Sequence, residues 1–338
     1  MSTLIEMADV DVHAVIERPA LVTLLGRALA STDARLKIHG ALFDTDESVW
    51  ARVLEVEGEE DVASYRVALG WPDSFAESYH LPEMNRLRDT LLRAGQLEHD
   101  NIGSVIDRLA MYDDVIVGVD TNVLLDCSLT GQLIPAIAQR QYPDWLLFAV
   151  PKMVTAEIEN KANNTINQAD HLRAYWPSYS GRLANRALQE IMDINMKDPS
   201  RPGMSLMTVG EFSISTAEMA SQGNWLKDAE IRRQFQSFLN QINFHKGTYF
   251  CSADRVNAMM SGTEGADGLY LQKPELDTAH AATVSTDTFA RVIYELAVQF
   301  GEVAIVEDED TLLQLSINWP GKHVADWQGA RLRIESPP

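Results

Sequence analysis

Cysteine is nearly missing from this sequence. Cys127 and Cys251 are the only two, which excludes a disulfide framework and points to a reducing, cytoplasmic setting. Long apolar runs are missing as well. No stretch approaches the roughly 20 residues of a membrane span, and the amino terminus, MSTLIEMADVDV, carries acids where a signal peptide would carry lysines. A soluble protein with no membrane partner is expected. Basic residues are scarce: 28 Lys and Arg against 49 Asp and Glu leave a net charge of −21. That balance argues against a protein that coats nucleic acid or an anionic membrane by bulk attraction. The eight histidines show neither HExxH nor a paired Cys/His spacing, so no structural zinc site is expected. Both GxGxxG and the GxxxxGK phosphate loop are absent, which removes support for dinucleotide binding and for nucleoside-triphosphate hydrolysis.

What is present organises itself along the chain. With 338 residues, 46% of them hydrophobic, there is material for two or three compact units. Residues 1–112 hold 10 Lys and Arg against 20 Asp and Glu, residues 113–250 hold 12 against 15, and residues 251–338 hold 6 against 14. The middle repels a polyanion least. ERPALVTLLGRALAS and LPEMNRLRDTLLRAGQLEHDNIGSVIDRLAMY repeat apolar residues at three and four, so residues 1–112 are expected to be a mostly α-helical, acidic region. From residue 113 strands alternate with helices. DDVIVGVD and WLLFAVP read as buried strands and VTAEIENKANNTINQADHLRAYW as a helix, which predicts a parallel sheet flanked by helices. Ligands gather at the carboxyl ends of strands in such sheets.

Four acids are placed at that edge by their local contexts. Asp120 ends the strand VIVGVD, Glu157 lies in the first turns of the helix after WLLFAVP, Asp228 opens KDAEIRRQF, and Asp254 follows TYFCSA. Singly, each has a plainer reading. Asp120 and Asp228 suit helix caps, Glu157 a solvated helix face, and Asp126 a surface or capping residue. Together, the stretches VDTNVLLD, VPKMVTAEIENK, KDAEIRRQF and TYFCSADRVNAM resemble, in order, the four acidic motifs of PIN-domain nucleases. The resemblance spans residues 113–275. It implies a PIN-like, Rossmann-like α/β fold and a metal-dependent ribonuclease with Asp120, Glu157, Asp228 and Asp254 as catalytic and metal-binding acids. Thr121, Asn122 and Ser252 match its accompanying polar residues, and single-stranded RNA, with DNA as alternative, is its implied substrate. The 71 residues from Glu157 to Asp228 exceed the compact family pattern, so an insertion is expected around residues 195–222.

These residue types suit the chemistry. Mg²⁺ and Mn²⁺ prefer oxygen ligands, and a pair of such ions can activate water and steady the leaving oxygen with no protein nucleophile. Packed carboxylates repel, and divalent cations relieve that cost. A haloacid-dehalogenase phosphatase would need a second acid at residue 122, where Asn122 stands, and a sugar-kinase loop would need Gly there. Residues 276–338 are expected to form a C-terminal α/β extension. Its acids Asp287, Asp308 and Asp310 are rival candidates for the third and fourth positions. Lys227, Arg232 and Arg255 are candidates for phosphate contacts, and Tyr175, Trp176 and Trp225 for base stacking. Residues 1–112 suit a protein-partner or self-association module, and a non-catalytic PIN-like scaffold is the competing functional class.

Overall fold

A computed structural model describes residues 14–30, 35–42, 49–59, 61–70, 80–140, 144–162, 179–196, 204–211, 224–317 and 331–335. In chain order the elements are β1 (Val15–Glu17), α1 (Arg18–Ala30), β2 (Leu36–Leu42), β3 (Val49–Glu59), β4 (Val62–Gly70), α2 (His80–Arg93), α3 (Ile102–Leu109), β5 (Asp114–Val119) and α4 (Thr121–Leu125). A π-helical turn, Leu129–Leu133, leads into α5 (Ile134–Gln139), β6 (Trp145–Pro151), α6 (Lys152–Ala162), α7 (Tyr179–Met196), β7 (Met204–Val209), α8 (Asn224–Ile242), β8 (Thr248–Ser252) and α9 (Arg255–Thr263). The chain closes with β9 (Asp267–Tyr270), β10 (Ala281–Ser285), α10 (Thr286–Phe300), β11 (Glu302–Glu307), β12 (Asp310–Ile317) and β13 (Arg331–Glu335). Among the described residues no helix is long and apolar enough to cross a membrane.

The chain divides into two units. One comprises Glu98–Thr165 and Leu183–Pro274; the other comprises Met1–Leu97, Ile166–Arg182 and Glu275–Pro338. The first is a mixed α/β unit around a five-stranded sheet of order β7-β6-β5-β8-β9, parallel throughout. Strand β5 is buried at every position after Asp114. A run of β-branched residues is what a strand covered on both faces requires. The segment anticipated as an insertion supplies the end of α7 and β7, an edge strand in register with β6; residues 197–203 and 212–222 lie outside the described residues.

Two glycines set how closely helices approach this sheet. A Cβ at Gly118 in β5 would lie 2.7 Å from the ring of Phe235 on α8. A Cβ at Gly268 in β9 would lie 1.9 Å from the backbone oxygen of Ala258 on α9. Helices α8 and α9 carry two of the four candidate acids near their amino ends, so the glycines bear on the site through helix placement.

The second unit corrects the helical expectation for residues 1–112. Helices α1 and α2 form where the three-and-four periodicity stands, but β2, β3 and β4 lie between them as an antiparallel meander. The reason is a period of two. In VASYRV, residues 62–67, exposure alternates strictly, with Ala63, Tyr65 and Val67 turned inward. The carboxyl-terminal strands join the same sheet, of order β1-β13-β12-β11-β2-β3-β4-β10, in which every neighbouring pair is antiparallel. Helix α10 packs on α1, α2 and strands β2, β11 and β12. Arg93 and Glu295, each with a side chain 1% exposed, approach to 3.3 Å in its core.

Two outcomes follow for stability. Gly268→Ala meets backbone rather than a yielding side chain, so urea denaturation should show a loss of roughly 1–3 kcal/mol; an unchanged midpoint would show that α9 shifts freely. Deleting residues 1–110 strips β2–β4 from the antiparallel sheet and leaves β11 without its neighbour β2. The product should be insoluble, and a monodisperse peak on size exclusion would contradict that.

Candidate active site

Strand order reverses between β5 and β8, because the chain builds β6 and β7 on one side and then returns to build β8 and β9 on the other. Crevices form at such a reversal, beyond the carboxyl ends of the strands. Asp120 follows β5 there and Asp254 follows β8. Each caps the next helix: Asp120 accepts from the Thr121 amide at 2.7 Å, and Asp254 accepts from the Val256 and Asn257 amides at 2.7 and 3.1 Å. In both acids Oδ1 does the capping, as expected for Asp120, and leaves Oδ2 to other partners; Asp228, the other expected cap, lies inside α8 because that helix begins at Asn224.

Asp120 is 3% exposed, and its Oδ2 collects three neutral donors. Ser252 Oγ donates at 2.6 Å, Asn257 Nδ2 at 2.8 Å and Asn122 Nδ2 at 3.0 Å. Burial still pushes its carboxyl above the ordinary range, against the downward pull of these donors, and the charge of Glu157 adds to the push. Asn122 ties the two strand ends together, since its Oδ1 also accepts from the Ala253 amide at 2.8 Å. Ser252 Oγ accepts from the Asp254 amide at 2.9 Å. Thr121 reaches across to α6, donating to Glu157 Oε2 at 2.6 Å.

Asp228 is held differently. It stands in the second turn of α8, half-buried, and accepts no hydrogen bond from the described residues. Its carboxyl is pushed up to about 6, first by burial, then by the charges of Asp120, Glu157 and Asp254, with Arg232 pulling the other way. Asp228 thus lies within electrostatic reach of each of the other three acids. Asp254 is exposed and Glu157 half-exposed, which leaves the cluster open to solvent. Among the described residues no group of three or more His, Cys, Asp or Glu is arranged to hold a metal ion. Caps and hydroxyls engage oxygens of Asp120, Asp254 and Glu157.

The basic candidates divide. Arg232 is 8% exposed; its Nε donates to Glu264 at 3.0 Å and an Nη donates to Asn257 Oδ1. A guanidinium so committed is an internal counter-charge rather than a phosphate contact. Lys227 and Arg255 flank Asp228 and Asp254, the second exposed and the first partly so, and neither forms an ion pair among the described residues. Trp225, three residues before Asp228, is 70% exposed; Tyr175 and Trp176 lie outside the described residues. Asp126 is buried and paired with Lys273 at 2.7 Å. The rivals Asp287, Asp308 and Asp310 belong to the antiparallel unit. Asp287 pairs with Arg18, while Asp308 and Glu309, with φ of 54° and 108°, form the tight turn between β11 and β12.

Two site residues escape sequence reasoning. Asn257 sits three residues after Asp254 on an otherwise unremarkable helix, and only that spacing hints at its inward aim. Gln234 on α8 is fully buried and its Oε1 accepts from the Met153 amide at 2.9 Å, satisfying an amide in the first turn of α6, the helix that carries Glu157.

No protein-family model matches this chain, and no curated protein matches it. A solved structure, a domain of a functionally unknown protein from Methanocaldococcus jannaschii DSM 2661, is similar over 48% of this chain and 95% of its own, with 17% identity and a TM-score of 0.34. At that score the likeness carries no argument.

The state of Asp228 makes a test possible. The unfolded chain releases its proton near pH 3.8 and the folded chain near 6, so the folded state holds more protons between those values. Stability is therefore lost as pH rises through that window. In EDTA, Asp228→Asn should raise the melting temperature at pH 7.5 and change it little at pH 4. An equal change at both would mean the carboxylates do not repel as described.

Proposed function

We propose that the parallel-sheet unit is a PIN-like, metal-dependent nuclease that hydrolyses phosphodiester bonds in single-stranded RNA. The observation that carries this reading is Asp228: a half-buried carboxylate with no hydrogen-bond donor among the described residues, in the field of three more carboxylates. Carboxylates gathered there repel one another, and a divalent cation relieves that repulsion. Their donor chemistry, all carboxylate oxygen, fits Mg²⁺ or Mn²⁺. Asp120, Glu157, Asp228 and Asp254 would hold the ions, which supply a polarised phosphate and a water of lowered pKa.

The chain's own residues do the remaining work. Ser252, Asn122 and Asn257 fix the plane of the Asp120 carboxylate, and Thr121 aims that of Glu157. Lys227 and Arg255, beside the acids, suit the phosphates on either side of the bond to be cut. A basic pair on a chain of net −21 makes binding modest and weakened by salt. A non-catalytic scaffold is the second reading. Val256, Met259 and Met260, 69%, 66% and 43% exposed beside Asp254, favour it as an apolar face.

Cleavage of end-labelled single-stranded RNA and DNA in Mn²⁺, Mg²⁺ or EDTA decides between them. Metal-dependent cutting should fall roughly 100-fold or more in Asp120→Asn and in Asp254→Asn, a loss of the size seen when a charge-stabilising group is removed. Asp308→Asn should cut like the wild type. No cutting of either polymer, with no heat of Mn²⁺ binding by calorimetry, would overturn the nuclease and leave the scaffold.

A further inference from the structure

Resting on the nuclease reading, we propose that Asn257 and Arg232 are positioning residues that orient the Asp120 carboxylate and couple it to the helices bearing Asp228 and Asp254. An amide can turn either face toward a carboxylate, and only one of them is a donor. Arg232 removes the choice. A guanidinium has donors and no acceptor, so its contact with Asn257 Oδ1 leaves Nδ2 to face Asp120 Oδ2, at 2.8 Å. Arg232 is itself held by Glu264 at 3.0 Å. Asn257 and Arg232 are 3% and 8% exposed, so water does not compete readily for these bonds.

The same two residues link three of the four acids. The Asn257 backbone amide donates to Asp254 Oδ1 at 3.1 Å. Arg232 lies one turn after Asp228 on α8, close enough for its charge to act on that carboxyl. A chain Glu264–Arg232–Asn257–Asp120 thus runs behind the acids without offering a ligand of its own. Such outer partners orient groups at a reacting centre, and their loss costs on the order of 10–100-fold.

The test has one arm free of metal and one with it. In apo wild type, side-chain amide exchange followed by ¹⁵N NMR should show the Asn257 amide protons protected, and Arg232→Gln should abolish the protection. With Mn²⁺, Asn257→Ala and Arg232→Gln should each weaken metal binding by calorimetry and lower kcat by roughly 10–100-fold, with KM for RNA little changed and melting temperatures kept. The double variant should fall no further than the worse single one, as members of one chain do. Arg232→Lys, milder toward folding, should retain charge and lose orientation, giving an intermediate kcat. Unprotected amide protons would overturn the proposal whether or not the protein is a nuclease. Full Mn²⁺ affinity and kcat in the folded variants, or additive losses, would overturn it too. Protected amide protons beside a wild type that neither binds Mn²⁺ nor cuts RNA would count against the nuclease reading while upholding the orienting chain.

Discussion

A carboxylate buried at the end of a central strand is the constraint on which the parallel-sheet unit turns. Removing Asp120 from water is costly unless each oxygen finds donors, and those donors come from separate parts of the chain. One is the amide of Thr121, one the side chain of Asn122, one Ser252 at the end of β8, and one Asn257 on α9. Satisfying Asp120 therefore pins β5, β8 and α9 to one another. All four donors are neutral, so the negative charge is held in place without being cancelled. Arg232 acts one step away, through Asn257.

Helix approach supplies the other half. Glycine at positions 118 and 268 lets α8 and α9 lie close against the sheet, which brings Asp228 and Asp254 within electrostatic reach. Close packing of apolar surface, with Phe235 and Phe250 in ring contact at 5.9 Å between centroids, offsets the repulsion that the acids generate.

Legibility differed between regions for a physical reason. Asp120 and Asp254 follow runs of strand-forming residues and precede helices, so their places at the strand ends could be read from neighbours alone. The antiparallel unit was harder. Its meander LKIHGAL, VWARVLEVEGE and VASYRVALG carries a period of two that the stronger three-and-four pattern of α1 and α2 overshadowed, and its partners β10 to β13 come more than 200 residues later in the chain. Pairing across such separations leaves no local mark on sequence. Arg232 was misjudged for a related cause: a guanidinium on a helix face looks available until Glu264 and Asn257 are seen to hold it.

By itself, the sequence determined the alternation of strands and helices from residue 113, the absence of a disulfide framework, and the placement of acids where strands give way to helices, because hydrophobic period and capping chemistry act over a few residues. Tertiary structure alone decided that β8 returns beside β5, that Asp228 stands in the field of three other acids, that Asp287, Asp308 and Asp310 belong to the other unit, and that Asn257 looks inward. Those outcomes depend on which distant surfaces bury one another, a property of the whole chain that no short window contains.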